Sequence, residues 1–225
     1  MNSTNRLEYK YKISYREYLQ LKPLLASLLE HDRHGEDESY PITSVYLDDI
    51  YFNGAMDKAF GNQYHKKYRL RYYHDPTKIK LELKEKVGHE TTKHATSIDT
   101  TTYQAIVNQE LDALDPLFDD PLIRRFALDM RRFHFQPSST ILYHREAYKD
   151  SSGNLRVTFD HNLQASRDLP QDTLEYIHLM HGSDLILEVK YEHYLPKEIK
   201  TILHKHKLHQ ISVSKYFLGY AQITP

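Results

Sequence analysis

Apolar and ionic residues alternate with a period of two along most of this chain, and that pattern predicts strands. In Arg6–Ile13 one face carries Arg6, Glu8, Lys10 and Lys12, and the other carries Leu7, Tyr9, Tyr11 and Ile13. Residues 42–48, 67–73, 79–86, 140–148, 155–160 and 185–191 alternate in the same way, and residues 90–98 do so more weakly. Lys67, Arg69 and Arg71 share a face, as do Lys80, Glu82, Lys84 and Lys86, and as do Glu188 and Lys190. Asp75-Pro76-Thr77-Lys78 is a turn with Pro at its second position, and Val87-Gly88-His89 and Asp150–Asn154 are hairpin links. Links this short make antiparallel neighbours.

Helices fill the gaps. Ser14-x-x-Glu17 is a capping box that opens a helix through Leu29, with a bend at Pro23. Leu117, Phe118, Leu122, Phe126 and Met130 recur at helical spacing and predict a helix over 116–132. Pro196 suits the first turn of a helix running to Leu208, and 213–221 reads as a last helix or turn. The charged stretch 31–39 reads as a surface loop. The expected fold is α+β: one domain over 1–225, with eight antiparallel strands and helices packed outside them.

Composition narrows the classes. Hydrophobic residues make up 40% of 225 residues, enough for a sizeable core. No apolar run approaches the roughly 20 residues that cross a bilayer, so no direct membrane insertion is expected. The N-terminus lacks the apolar stretch of a signal peptide. With no cysteine there is no disulfide, thiolate metal site or thiol nucleophile, and a cytoplasmic location is the natural expectation. Thirty Lys and Arg against 31 Asp and Glu give a net charge of -1, which excludes a generally basic nucleic-acid binder. Neither GxGxxG nor GxxxxGK[ST] is present. Of the 19 tyrosines, Tyr9, Tyr68, Tyr72, Tyr143, Tyr148 and Tyr191 are expected to pack under helices. The run His204-Lys205-His206-Lys207-Leu208-His209 reads as a solvated helix end complementing the dipole, and His65, His144 and His193 as ordinary polar residues.

What remains is where the charge sits. The ionic face of a single amphipathic strand is ordinarily solvent. Here ionic mixtures recur from strand to strand: Arg6/Glu8/Lys10, Arg69/Arg71, Glu82/Lys84 and Glu188/Lys190. A merely solvated face would also carry Ser, Thr, Asn and Gln. Eight strands can instead close into a barrel with ionic faces inward and apolar faces under the helices. Such a positive interior is costly unless a polyanion occupies it. Arginine grips phosphate bidentately, lysine as a point charge, and a carboxylate among them holds a divalent cation through oxygen. The expectation is a tunnel that grips a chain of phosphates together with Mg²⁺ or Mn²⁺.

The motifs that carry this pattern run in order over nearly the whole chain: Arg6-x-Glu8-x-Lys10-Tyr11, Ser44-Val45-Tyr46-Leu47-Asp48, Lys67-Tyr68-Arg69-Leu70-Arg71-Tyr72 and Leu81-Glu82-Leu83-Lys84. Tyr143-x-Arg145-x-Ala147-Tyr148, Arg156-Val157-Thr158-Phe159-Asp160, Leu187-Glu188-Val189-Lys190-Tyr191 and Ser214-Lys215-Tyr216 complete them. In this set the sequence resembles the VTC domain, the polyphosphate polymerase branch of the triphosphate tunnel metalloenzyme (CYTH-like) superfamily. The resemblance implies an eight-stranded antiparallel tunnel and transfer of the γ-phosphate of ATP onto inorganic polyphosphate. It implies Lys10, Arg69, Arg71, Lys84, Arg145, Arg156 and Lys215 as catalytic residues on the phosphates. Lys93, Lys190 and Ser214 would bind further phosphate. Glu188 would hold the metal, with Glu8 and Glu82 as additional candidate ligands.

The superfamily often opens with Glu-x-Glu-x-Lys, and here Arg6 replaces the first Glu, which removes one potential metal ligand. Ser212 stands where eukaryotic relatives would show a basic residue. The chain is expected to be a bare catalytic domain, without the regulatory domain and membrane spans of those relatives and dependent on any membrane-protein partner for moving product. One tunnel also serves water as acceptor, so hydrolysis of inorganic or nucleoside triphosphate is the first rival. A non-catalytic polyphosphate or inositol-phosphate receptor is the second.

Overall fold

The computed structural model of the chain describes residues 6–32, 37–57, 64–88, 90–152, 154–170, 175–212 and 214–223. The readings at residues 1–5, at 33–36 of the charged loop, at His89 and Gly153 of the hairpin links, and at Val213 lie outside the described residues. In chain order the elements are β1 (Arg6–Ser14), α1 (Tyr15–Ala26), β2 (Glu30–His31), β3 (Tyr40–Asp48), α2 (Asn53–Met56), β4 (Tyr64–Tyr73), β5 (Ile79–Val87), β6 (Glu90–Ile98) and α3 (Thr100–Val107). A 3-10 segment (Leu111–Leu117), α4 (Pro121–Phe133), β7 (Gln136–Lys149), β8 (Leu155–Ser166), β9 (Ile177–His178), β10 (Asp184–Glu192), α5 (Lys197–Lys205), β11 (His209–Gln210) and α6 (Lys215–Ile223) follow. The chain divides into two compact units.

The first unit comprises Met1–Pro41, Leu142–Gln164 and His178–Ser214. Its strand order is β11-β1-β10-β8-β7. Antiparallel register sets Tyr9 against Val189, Tyr11 against Leu187 and Ile13 against Leu185, and on to β8 it sets Leu187 against Phe159. One face is thus apolar. Leu21 and Leu25 of α1 and Ile199 and Leu203 of α5 bury against it, each such side chain contributing roughly 1.5–3 kcal/mol. The capping box forms as expected: Ser14 N–H donates to Glu17 Oε2 at 2.7 Å, and Glu17 N–H donates to Ser14 Oγ at 3.3 Å. The helix stops at Ala26 rather than Leu29, because the chain turns to lay Glu30 and His31 opposite Lys149 and Tyr148. Similarly α5 ends at Lys205 rather than Leu208, and β11 pairs with Lys12 and Tyr11.

The second unit comprises Ile42–Ile141, Ala165–Ile177 and Lys215–Pro225, with strand order β3-β4-β5-β6, antiparallel throughout. Val45, Leu47, Tyr68, Leu70, Leu81 and Leu83 form the covered face, under Tyr103 and Ile106 of α3 and Phe126 and Met130 of α4. The helix expected over 116–132 is two pieces. Asp120 accepts the N–H groups of Leu122 and Ile123 at 2.8 and 3.1 Å, and Pro121 takes the first helical position, so α4 begins there. The sequence pattern missed α3, whose start is fixed by Asp99 accepting the Thr102 N–H at 2.7 Å.

The α+β class and the antiparallel pairing hold. Among the described residues there are eleven strands, not eight; β2, β9 and β11 have two residues each, too short for any alternation to register. The hydrogen-bonded order within each unit is an open path, so the expected closed barrel is not a property of either unit's pairing.

Candidate functional site

In the first unit, alternation places Glu8 and Lys10 on β1, Glu188 and Lys190 on β10, Arg156, Thr158 and Asp160 on β8, and Arg145 on β7 away from the apolar face. Cross-strand neighbours on that face are Glu8 with Lys190, Lys10 with Glu188, and Lys190 with Arg156. Glu188 is 3% exposed and sits among three cations: Lys190 Nζ at 2.7 Å, Arg145 Nη2 at 3.3 Å and Lys10 Nζ at 3.7 Å. Lys10 also reaches Glu8 at 2.9 Å. Arg145 makes a two-pronged contact with Asp160, Nε to Oδ1 at 2.6 Å and Nη2 to Oδ2 at 2.7 Å, and lies over the Tyr143 ring. Burial alone would lower the Arg145 pKa, but Asp160 and then Glu188 raise it well above the ordinary arginine value. Arg156 donates to Tyr40 Oη at 3.1 Å and pairs with Asp32 at 2.9 Å. Its Nε and the Thr158 Oγ1 are buried with no hydrogen-bond partner among the described residues, which is rare unless a ligand or water completes them.

In the second unit the register gathers Lys67, Arg69 and Arg71 of β4, Lys80, Glu82, Lys84 and Lys86 of β5, and Lys93 of β6 on the face opposite the core. Glu82 lies 2.5 Å from Arg69 Nη2 and 3.8 Å from Arg71 Nη1. Burial would raise the Glu82 pKa, but Arg69 and Arg71 outweigh it and hold the carboxyl below its ordinary range. Tyr46 accepts from Arg69 Nη1 at 3.3 Å, and Ser44 accepts from Arg71 Nε at 3.3 Å. Burial would push the Tyr46 phenol up; Arg69, Arg71 and Lys215 together pull it down. Lys215 opens α6, and Ser214 precedes it in the chain.

The structure thus assembles the anticipated residues as two groups. Glu8, Lys10, Arg145, Arg156, Glu188 and Lys190 belong to the first unit; Arg69, Arg71, Glu82, Lys84, Lys93 and Lys215 belong to the second. Sequence reasoning did not assign Asp160, Asp32, Tyr40, Thr158, Tyr46 or Ser44. Asp160, Thr158, Tyr46 and Ser44 were marked by period-two position in motifs already in view; Asp32 and Tyr40 flank a loop and carried no signal. Tyr143, expected under a helix, lies instead beneath Arg145. Glu146 also stands apart. It is buried on the helix-covered face, where it accepts from Tyr18 at 2.8 Å and from Tyr148 and pairs with Lys22 at 3.0 Å. Burial and Glu146 push the Tyr18 phenol up to about 12.

Among the described residues no three His, Asp or Glu side chains converge as a ready-made metal cage. The donor set fits a less demanding ion. Glu8 and Glu188 already flank one positive charge, the Lys10 ammonium. Mg²⁺ or Mn²⁺ bound to a phosphate chain asks one or two carboxylates of the protein and takes its other ligands from phosphate and water.

The family model for the VTC domain matches residues 5–224. No curated protein matches the sequence. Solved structures share the fold, among them the following three. A proposed adenylyl cyclase from Hippeastrum, described as having dominant triphosphatase activity, superposes with a TM-score of 0.57 at 15% identity, covering 97% of this chain and 98% of its own. A proposed adenylate cyclase from Bacillus halodurans gives 0.53 at 13% identity, covering 93% of each chain. A protein from Pyrococcus horikoshii gives 0.52 at 12% identity, covering 96% of each.

Proposed function

The chain belongs to the VTC domain family, and from that premise we propose that it transfers the γ-phosphate of ATP to the end of an inorganic polyphosphate chain. The observation that carries this reading is the charge on β4–β6. Register places seven basic side chains there (Lys67, Arg69, Arg71, Lys80, Lys84, Lys86 and Lys93) with the single carboxylate Glu82 among the described residues. A strand face this rich in cations attracts anions strongly, a polyanion most of all. A linear phosphate chain, with charge on every unit, is the ligand that matches it. The closed tunnel with charged faces inward belongs to this reading.

Phosphoryl transfer asks for positioning and for neutralisation of charge spread over the equatorial oxygens. Arg69 and Arg71 supply forked donors for the transferred group, and Lys84, Lys93 and Lys215 hold its neighbours. Lys10, Lys190, Arg145 and Arg156 supply the corresponding donors of the first unit, and Ser214 adds a hydroxyl. Glu188, with Glu8, would hold Mg²⁺ or Mn²⁺, which when bound neutralises phosphate oxygens. The acceptor is itself an ionised phosphate, so no strong general base is required of the protein. Water in its place makes the same arrangement a triphosphatase, and the activity described for the Hippeastrum protein favours that as the second reading.

Incubation with ATP and Mn²⁺ separates the two. Long polymer supports the polymerase; orthophosphate alone supports the hydrolase. Tripolyphosphate bound without any product would overturn both and leave a binding module. Glu188→Gln is expected to abolish the dependence of tripolyphosphate binding on divalent metal.

A further inference from the structure

Two motifs of the sequence meet in the second unit at a point where neither contributes a cation. Asp48, at the end of β3, is 1% exposed. Its carboxylate accepts three backbone N–H groups, from Asp49, Gly54 and Ala55, each at 2.9 Å. It also accepts the hydroxyl of Tyr216, the second residue of α6. Tyr216 is 1% exposed, its oxygen lies 2.9 Å from Ser138 Oγ, and its ring stacks flat on Tyr46 with centroids 4.4 Å apart and planes 4° apart.

The surroundings are shaped to this contact. A Cβ at Gly54 would come within 2.9 Å of Asp48 Oδ1, so a side chain there would push the carboxylate aside. A Cβ at Gly219 would run into Ile141, so α6 sits too close for anything larger. Capping the short α2 does not need a buried charge; Asn or Ser would serve. What a carboxylate adds is a strong, charge-assisted acceptor for the phenol.

Lys215 is the residue immediately before Tyr216. The Lys67 ammonium lies 5.8 Å from the centre of the Tyr216 ring, so the start of α6 sits beside the cations of β4, and the Lys215 charge acts with those of Arg69 and Arg71 to lower the Tyr46 phenol. Lysine reaches its target on a flexible stem, so its usefulness depends on where its backbone is pinned. We infer that Asp48 and Tyr216 form a latch that pins the start of α6 and so positions Lys215 for phosphate. This rests on reading the face as a triphosphate site. Neither latch residue touches substrate; both are positioning residues, and a misplacement of about 1 Å in such a group costs about 100-fold in rate.

The test is a double-mutant cycle on the full chain, with inorganic tripolyphosphate as the calorimetric probe and turnover of ATP with Mn²⁺ alongside. Tyr216→Phe keeps the ring stack and removes the hydroxyl. It is expected to weaken binding or turnover about tenfold with Lys215 present, and less than about twofold in Lys215→Ala. Equal losses in both backgrounds, or none, would overturn the latch. Amide hydrogen exchange across α6 reads the same contact without activity: it should quicken in Tyr216→Phe, and unchanged exchange also overturns the latch. Should Tyr216→Phe not fold, Asp48→Asn takes its place in the cycle with the same expectations. Failure of the unaltered protein to bind tripolyphosphate would sink the triphosphate reading and with it the role of Lys215, an outcome distinct from binding with uncoupled losses.

Discussion

Arg145 and Arg69 each project from a strand on the face opposite the core, yet their company differs. Arg145 is 7% exposed and clasped by Asp160 and Glu188, and Glu188 also pairs with Lys10 and Lys190. Arg69 has a side chain 27% exposed and shares Glu82 with Arg71, amid further lysines. A buried ion pair such as Arg145 with Asp160 is expensive to disturb, because removing one member strands its partner. Arg69, in an ion pair more open to water, is cheaper to alter structurally. Both motifs read alike in sequence; burial separates the clasped arginine from the more accessible one.

The sharpest test of that contrast is stability. Arg145→Met should cost about 3–5 kcal/mol in urea denaturation, because Asp160 at 0% exposure loses its two-pronged clasp. Arg69→Met should cost about 1 kcal/mol or less, the scale of a partly exposed pair. Equal costs would erase the distinction. Activity should reverse the order of interest: Arg69→Ala or Arg71→Ala, with an unchanged circular dichroism spectrum, should lower turnover about 100- to 1000-fold. Salt gives a smaller, graded effect. Tripolyphosphate affinity should fall with ionic strength, and Lys84→Ala or Lys93→Ala should flatten that fall, because each removes a screened contact.

The smallest effect is the pH dependence that His161 of the first unit contributes. Burial, and then His144, hold the His161 imidazole below its ordinary pKa against the pull of Asp160 and Glu146, with Lys22 adding to the lowering. Below the ordinary imidazole range the unfolded chain therefore binds a proton that the folded chain refuses, and stability falls as pH drops. The urea midpoint should decrease from about pH 7.5 to about pH 5.5. His161→Gln should shallow that decrease; an identical slope would show that other groups carry it.

Much of this was legible from alternation alone. The period-two runs located all eight long strands, and Ser14 with Glu17 announced α1, because each signal is local and repeated. The strand pairs of two residues were invisible for the opposite reason: Glu30–His31 and His209–Gln210 are extended only because a longer strand lies beside them. Helix ends failed similarly, being set by where the chain must turn rather than by side-chain preference. Of the site, the cations were readable and their partners were not. Asp32 reaches Arg156, and Asp48 reaches Tyr216, across 124 and 168 positions of sequence, contacts that no local pattern encodes.

Glu188 has one consequence for how any anion would arrive. Lys10 and Lys190 already hold a carboxylate each, so the protein carries its own counter-ions. An incoming phosphate chain must compete for those ammonium groups, and association becomes an exchange in which Glu8 and Glu188 are left seeking positive charge. On the proposed function, tight capture and uptake of a divalent cation would then be two halves of one event. Neutralising Glu8 as Gln should loosen that bond between them, letting tripolyphosphate bind more firmly when the metal is withheld.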